Sequence, residues 1–439
     1  MTLWRQTSRA ALRSIVARRP ARRRGRPMNH HYDALESRPP ALREAALMAR
    51  LPRLVALAQT RAPAFARMLR EVDAAGITSR AALAQLPVLR KSMLLALQKQ
   101  QPPFGGCATA EWGPECARVF ASPGPIHEPE APRRDYWRTA RALHAAGFRA
   151  GMLVHNTFSY HFTPAGSMLE SGAHALGCTV FPAGTGQTEL QLQTMAALQP
   201  HAYVGTPSFL RILLERGDQL GLASPRLKHA AVSGEAFPPA LRDLLANCGI
   251  EGFQIYATAD LGTIAYETAA RDGLVVEEDA VVEIVRPGTG DPVADGDIGE
   301  VVVTVFNPTY PLIRYGTGDL SRVLPGTSPC GRTNMRLAGW LGRADQSAKI
   351  RGMFVHPVQI NEVLRRFSEV RRARLVVDNP EGPDRVRLQC EATEASAALA
   401  DALAVGFRDV TKLRAEIQLL DPGTLPDDGK LIDDQRRFD

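Results

Sequence analysis

The chain has 439 residues, 45% of them hydrophobic and 23% charged, which fits a globular protein with length for two or three folding units. Its formal charge of +7 sits at one end: residues 1–27 carry nine arginines and no acid, leaving 44 basic against 46 acidic residues in the rest. A near-neutral body excludes a basic nucleic-acid footprint, and no apolar run is long enough to cross a bilayer as a helix.

The leader, MTLWRQTSRAALRSIVARRPARRRGRP, has the Arg-rich, acid-free character of a transit peptide. Its Pro-Ala-Arg repetition suits a disordered tail ahead of a start at Met28 equally well, and we expect residues 1–27 to lie outside the folded body. Apolar residues over 40–70 recur at helical spacing, with Pro52 and Pro63 starting or kinking segments, so a helical cover is expected, with Tyr32 and Phe65 in the core. RVFA at 118–121 reads as a strand ending in Ser122-Pro123-Gly124-Pro125-Ile126-His127-Glu128-Pro129. Residues 135–146 read as a helix opened by Asp135-Tyr136-Trp137-Arg138, and 151–156 as a buried strand. The aromatic run His155 to Gly166 follows, in which Phe158, Tyr160 and Phe162 suit a core or a pocket, and His161 a packing role.

Strands at 179–182 and 202–204 around a helix at 188–198 argue for a parallel α/β layer. GTGQTELQ at 184–191 and Gly205-Thr206-Pro207-Ser208 read as capped helix starts. The strand at 228–232 ends in Ser233-Gly234-Glu235, small residues against which a flat base can lie. GFQIYATAD at 252–260 comes next. Strands at 274–286 and 299–304 flank Gly288-Thr289-Gly290, where the sheet is expected to turn antiparallel. Past residue 345 a helix at 360–367, strands at 373–377 and 385–391, a helix at 395–410 and a strand at 416–420 make a small α+β unit. It ends in LPDDGKLI, which contains Lys430. The six cysteines, without CxxC spacing, suit reduced thiols and a cytoplasmic location.

The chain is organised around residues 310–352. An apolar strand at 311–315 is expected to run into Gly316-Thr317-Gly318 and present Asp319 at a turn, where glycines let a ligand approach and the acid can accept from two ribose hydroxyls. Gly342-Arg343-Ala344-Asp345 follows, then Lys349 and Arg351-Gly352.

Two such glycine-flanked charged segments, in this order and at this separation, resemble those of the adenylate-forming enzymes, most of all the phenylacetate–CoA ligases. The resemblance runs from about Met28 to Asp439. It implies an α/β fold: a large multi-layer AMP-binding domain with mixed sheets over 28–344, and a small mobile α+β lid over 345–439. It further implies activation of a carboxylic acid, aryl or arylacetic, by ATP and Mg²⁺ to an acyl-AMP, followed by transfer to coenzyme A. An acceptor other than coenzyme A, or a nucleotide-binding relative without catalysis, is the alternative. A homodimer stays open, and neither nucleic acid nor membrane is expected as a partner.

By the same resemblance Asp319 holds the ribose and Arg343 reaches ribose or phosphate. Lys430 meets the forming acyl phosphate, and rotation about Asp345 replaces it with the face of Lys349, Arg351 and Gly352. Ser233, Gly234 and Glu235 contact adenine, as do Tyr256, Ala257 and Thr258 in a divergent YGxTE signature. There Asp260 replaces the glutamate that helps hold magnesium. Phe158, Tyr160, His161 and Phe162 match the acid pocket. The phosphate loop departs from the pattern. Ser122 and Gly124 remain, but Pro123, Pro125 and Pro129 have no N–H, and Glu128 would repel a triphosphate unless it faces away, so a stiff turn is the other reading. Some relatives carry CxCGR where this chain has Ser328-Pro329-Cys330-Gly331-Arg332, one sulfur fewer, so a four-ligand zinc site is not expected.

Overall fold

The computed structural model describes residues 31–222, 224–344, 348–351, 353–355, 357–380, 383–426 and 430–436. The leader at 1–27, Asp345 and Gly352 lie outside these residues. Helices Pro40–Met48, Leu51–Arg61 and Pro63–Met68 open the body. Each has a proline in its first turn, where a missing N–H leaves no bond unmade. Their apolar faces, with Leu51, Val55, Ala58 and Phe65, join Val281, Val301 and Val303 in one core. Phe65 is core, as expected. Tyr32 is not: it is 40% exposed beneath the guanidinium of Arg141, 5.0 Å from its ring centre.

A nine-stranded sheet forms the central layer. From one edge its order is Val323–Leu324, Arg336–Leu337, Leu274–Val276, Gly262–Glu267, Glu251–Thr258, His229–Val232, Ala202–Gly205, Leu153–Asn156 and Thr179–Pro182. The last five are parallel, as the strand–helix alternation predicts. The sheet turns antiparallel earlier than expected, at the hairpin between Glu251–Thr258 and Gly262–Glu267. Gly262 permits that hairpin: at φ +77°, a Cβ there would lie 2.7 Å from the Trp137 carbonyl.

A second sheet takes Leu89–Arg90, Tyr315–Ser321, Gly299–Val305 and Ala280–Val285, with Gly342–Arg343 paired to Tyr315–Ser321. The sequences GEVVVTV and AVVEIV are buried throughout, because β-branched side chains suit a sheet covered on both faces. The strand expected at 311–315 begins only at Tyr315 and continues to Ser321, so Asp319 lies within a strand and not at a turn. Arg314 sets this start. At φ +48° it leaves the extended region, and its buried guanidinium bonds Glu283 Oε2 at 3.1 Å, the Ala84 carbonyl at 2.7 Å and the Gly290 carbonyl at 2.6 Å.

Two further expectations change. The segment 122–129 is no loop: Arg118–Ser122 and Ile126–Glu130 form an antiparallel hairpin. The helix expected from Asp135 begins at Ala140. Asp135 instead caps it, accepting from the N–H of Thr139 at 2.8 Å and of Ala140 at 3.1 Å, the competition with helix that short acidic side chains offer.

Among the described residues the C-terminal part has its own core, built of residues from Ala348 to Ile432, with Leu375, Leu388, Leu403 and Phe407 buried in it. Strands Glu416–Leu420, Arg385–Ala392, Val370–Asp378 and Ile432–Asp434 make its sheet, with helices Pro357–Arg365 and Ala397–Thr411. The fold is thus a large multi-layer α/β part followed by a small α+β part. No helix among the described residues is long and apolar enough to cross a membrane.

Candidate active site

Parallel strands whose C-terminal ends share one sheet edge make a crevice there. Asn156, Gly205, Val232 and Thr258 close four adjacent strands. That edge gathers Ser233, Gly234, Glu235, Tyr256, Ala257 and Thr258. Gly234 is exposed with φ +87°, and Ser233 is anchored through its N–H to the Gly205 carbonyl at 3.2 Å. Glu235 is partly engaged, since its Oε1 accepts from the N–H of Ser208 at 2.6 Å.

Asp319 is the meeting point of the two sheets. It pairs in register with Arg343 across an antiparallel ladder, so the two motifs, 24 residues apart, are brought side by side. Arg343 Nη1 donates to Asp319 Oδ1 at 2.8 Å and to the Thr317 carbonyl at 3.0 Å. From the other sheet, Tyr256 donates its hydroxyl to Asp319 Oδ2 at 2.8 Å. Trp340 Nε1 adds a third donor to Oδ1 at 3.1 Å. Two carboxylate oxygens offer about four acceptor directions, so three donors orient the group without filling it. Burial, and then the charge of Asp319, push the Tyr256 phenol well above its ordinary range. It therefore remains a donor.

A second cluster lies where the sequence places metal and phosphate. Asp260 is buried, with Lys91 Nζ 3.7 Å from its Oδ2 and with Oδ1 lacking a hydrogen-bond partner. Glu128 is 0% exposed; its side chain turns into the protein. Ser122 donates its hydroxyl to Glu128 Oε1, and Oε2 is unpartnered. Burial, reinforced by the charge of Asp260, pushes the Glu128 carboxyl up to about 9. The hairpin leaves little for an anion, since the His127 N–H goes to Gln98 Oε1 at 2.7 Å and the Ala121 N–H to the Phe162 carbonyl at 2.8 Å. Gly124, at its tip, is exposed.

The expected acid-pocket residues divide. Phe158 lies in the hydrophobic core. Tyr160 is held by Asn156 Nδ2 at 2.8 Å and donates to Glu170 Oε2 at 2.7 Å. His161 is exposed, and Phe162 is 80% exposed at φ +62°.

A phenylacetate–coenzyme A ligase of Thermus thermophilus is 33% identical over 365 residues, covering 79% of this chain and 80% of that protein. The chain belongs to the phenylacetate–coenzyme A ligase family. Another such ligase, from Aromatoleum evansii, is 34% identical over 303 residues, 66% of this chain and 67% of its own. In fold the chain is similar to a 2-hydroxyisobutyryl-CoA ligase solved with 2-HIB-AMP and CoA in the thioesterification state. The TM-score is 0.80 at 24% identity, covering 97% of this chain and 95% of that one. No family model matches.

Trp340, Lys91 and Glu128 lie against the candidate site residues in the structure, and the sequence reading missed them or left them unplaced. Trp340 carried a signal: an aromatic N–H two residues before the Gly342–Arg343 strand can reach the paired Asp319. In the C-terminal part Lys430 is exposed, with Nζ 3.7 Å from Asp433 Oδ1. The backbone of Lys349 lies in the strand Ala348–Ile350. Arg351 is exposed and donates to the Asp384 carbonyl at 3.2 Å. The hard, unpartnered oxygen of Asp260 fits a magnesium ion, and the Asp319 cluster fits a ribose. The hairpin and the buried Glu128 do not fit a cradle for three phosphates.

Proposed function

We propose that this ligase activates an aryl or arylacetic acid with ATP to the acyl-adenylate and passes the acyl group to coenzyme A. In the first step a carboxylate oxygen attacks the α-phosphorus and pyrophosphate leaves; in the second the thiol attacks the acyl carbon and AMP leaves. The observation that carries this reading is the Asp319 cluster, in a chain one-third identical over most of its length to phenylacetate ligases. Asp319 orients the ribose, and Arg343 holds the carboxylate in place. The ends of the parallel strands, Ser233–Glu235 and Tyr256–Thr258, offer the adenine a flat wall. Asp260 would hold magnesium, which when bound offsets charge on the phosphates. Lys430 supplies a second positive charge to the adenylation step, and Lys349, Arg351 and Gly352 belong to the face that replaces it when residues 345–439 turn about Asp345. Phe158, Tyr160, His161 and Phe162 shape the acid side. Six unpaired cysteines support a reducing, cytoplasmic setting.

One observation favours a second reading. A buried acid and a proline hairpin stand where the phosphates would be gripped, and they suit a relative that holds an adenylate without forming one from ATP. Pyrophosphate release from ATP with a panel of aryl acids separates the two. Acid-dependent release supports the ligase. Binding of AMP without release under any acid supports the second reading.

A further inference from the structure

The small C-terminal sheet has two unlike faces. Ala373 and Leu375 on Val370–Asp378, and Leu388 and Cys390 on Arg385–Ala392, belong to the core that the two helices share. Alternation along a strand sends Arg372, Arg374 and Glu391 to the opposite face, where Arg372 and Glu391 stand opposite each other in register. Glu391 is nevertheless only 2% exposed, because the segment 421–426 lies over it.

That segment is gripped through its backbone on both sides of the peptide. Glu391 Oε1 accepts from the N–H of Leu425 at 2.6 Å. This bond, joined by the N–H groups of Gly423 and Thr424, holds the Glu391 carboxyl below the ordinary glutamate range against the effect of its burial. Successive N–H groups turned on one anion form a nest. The carbonyls go to the arginines. Arg372 donates to Leu425 at 3.4 Å and to Pro426 at 2.9 Å, and Arg374 donates to Pro426 at 3.2 Å.

The gripped residues open LPDDGK, the run that ends in Lys430. A second anchor follows directly. The Leu431 carbonyl accepts from the N–H of Leu375 at 2.9 Å, and Ile432–Asp434 then pairs in parallel with Leu375, Val376 and Val377. One strand, Val370–Asp378, therefore fixes the chain both before and after Lys430. Long side chains need such support, because a misplacement of about 1 Å in a reacting group costs about 10²-fold in rate.

We propose that Glu391 and Arg372 are positioning residues for adenylation, a clamp on Leu425 and Pro426 that sets where the Lys430 ammonium reaches. Neither side chain is asked to touch substrate. The inference rests on the reading of Lys430 as the cation of the first half-reaction, and adds what places it there.

The test measures the two half-reactions separately in the full chain: pyrophosphate release from ATP and acid, and thioester formation from supplied acyl-AMP. Glu391→Ala and Arg372→Ala should each lower the first about tenfold, less than loss of Lys430 itself, and leave the second within about twofold. Glu391→Gln keeps an acceptor for the Leu425 N–H and should recover most of the loss. Added to Lys430→Ala, Glu391→Ala should cost nothing further, since residues that act through one group do not add. Where Glu391→Ala fails to fold, Glu391→Gln and the half-buried Arg372 carry the test. Equal loss in both half-reactions would make the clamp a structural staple and overturn the proposal. Loss in Lys430→Ala without loss in either clamp variant overturns the clamp alone, whereas a Lys430→Ala chain that still adenylates sinks the Lys430 reading and the clamp together.

Discussion

At Asp319, donors from two sheets and from the connection before Gly342–Arg343 converge on one carboxylate, so its charge is what the neighbourhood is built to hold. Asp319→Asn keeps the shape and removes the charge. We expect kcat/KM for ATP to fall about 10–100-fold, the range of a charge-assisted bond, and the melting temperature to fall with it, since Arg343 loses the anion of a largely buried pair. Steady-state kinetics at saturating acid reads this, and a fall below threefold would contradict the ribose role. Glu128 gives a test of opposite kind. An unfolded glutamate releases its proton near 4.5, whereas burial and Asp260 hold the folded one up to about 9. Between those values the folded chain keeps a proton that the unfolded chain has lost, so stability falls as pH rises across that window. Glu128→Gln removes the titration without changing the shape. Its melting temperature relative to the parent should therefore climb from pH 5 to pH 8; a constant difference would mean that Glu128 is ionised in the fold.

Elements show what was legible in the sequence and what was not. The alternation that marked the parallel layer survives as five parallel strands, because each strand–helix step leaves a period that a single chain displays. The stretch 311–315 misled because its apolar run is followed by a residue, Arg314, whose partners lie far away in sequence: Ala84, Glu283 and Gly290. No local pattern announces such a staple. Arg314→Leu leaves Glu283 buried without its cation and should cost about 3–5 kcal/mol, measured by urea unfolding; a loss under 1 kcal/mol would show that the strand starts at Tyr315 for another reason. The hairpin at 118–130 was half legible. Its prolines announced a missing set of donors, but that Glu128 turns inward depends on Ser122 and Asp260, which sequence alone does not bring together. The same limit applies to Phe158, since a strand-end aromatic gives no sign of whether it faces a core or a pocket.

For the whole molecule, the family reading requires that the small C-terminal part serve two steps in turn. Lys430 is exposed and paired with Asp433, which leaves it available to move with its domain. Lys430→Ala should lower adenylate formation about 10²–10³-fold while sparing thioester formation from supplied acyl-AMP; equal loss in both half-reactions would contradict an alternating lid. The most direct measurement is pyrophosphate release from ATP by the full chain with a panel of aryl and arylacetic acids, with and without coenzyme A. We expect release that depends on the acid, with turnover and AMP formation rising when coenzyme A is added. AMP binding without pyrophosphate release under any acid would contradict the ligase reading.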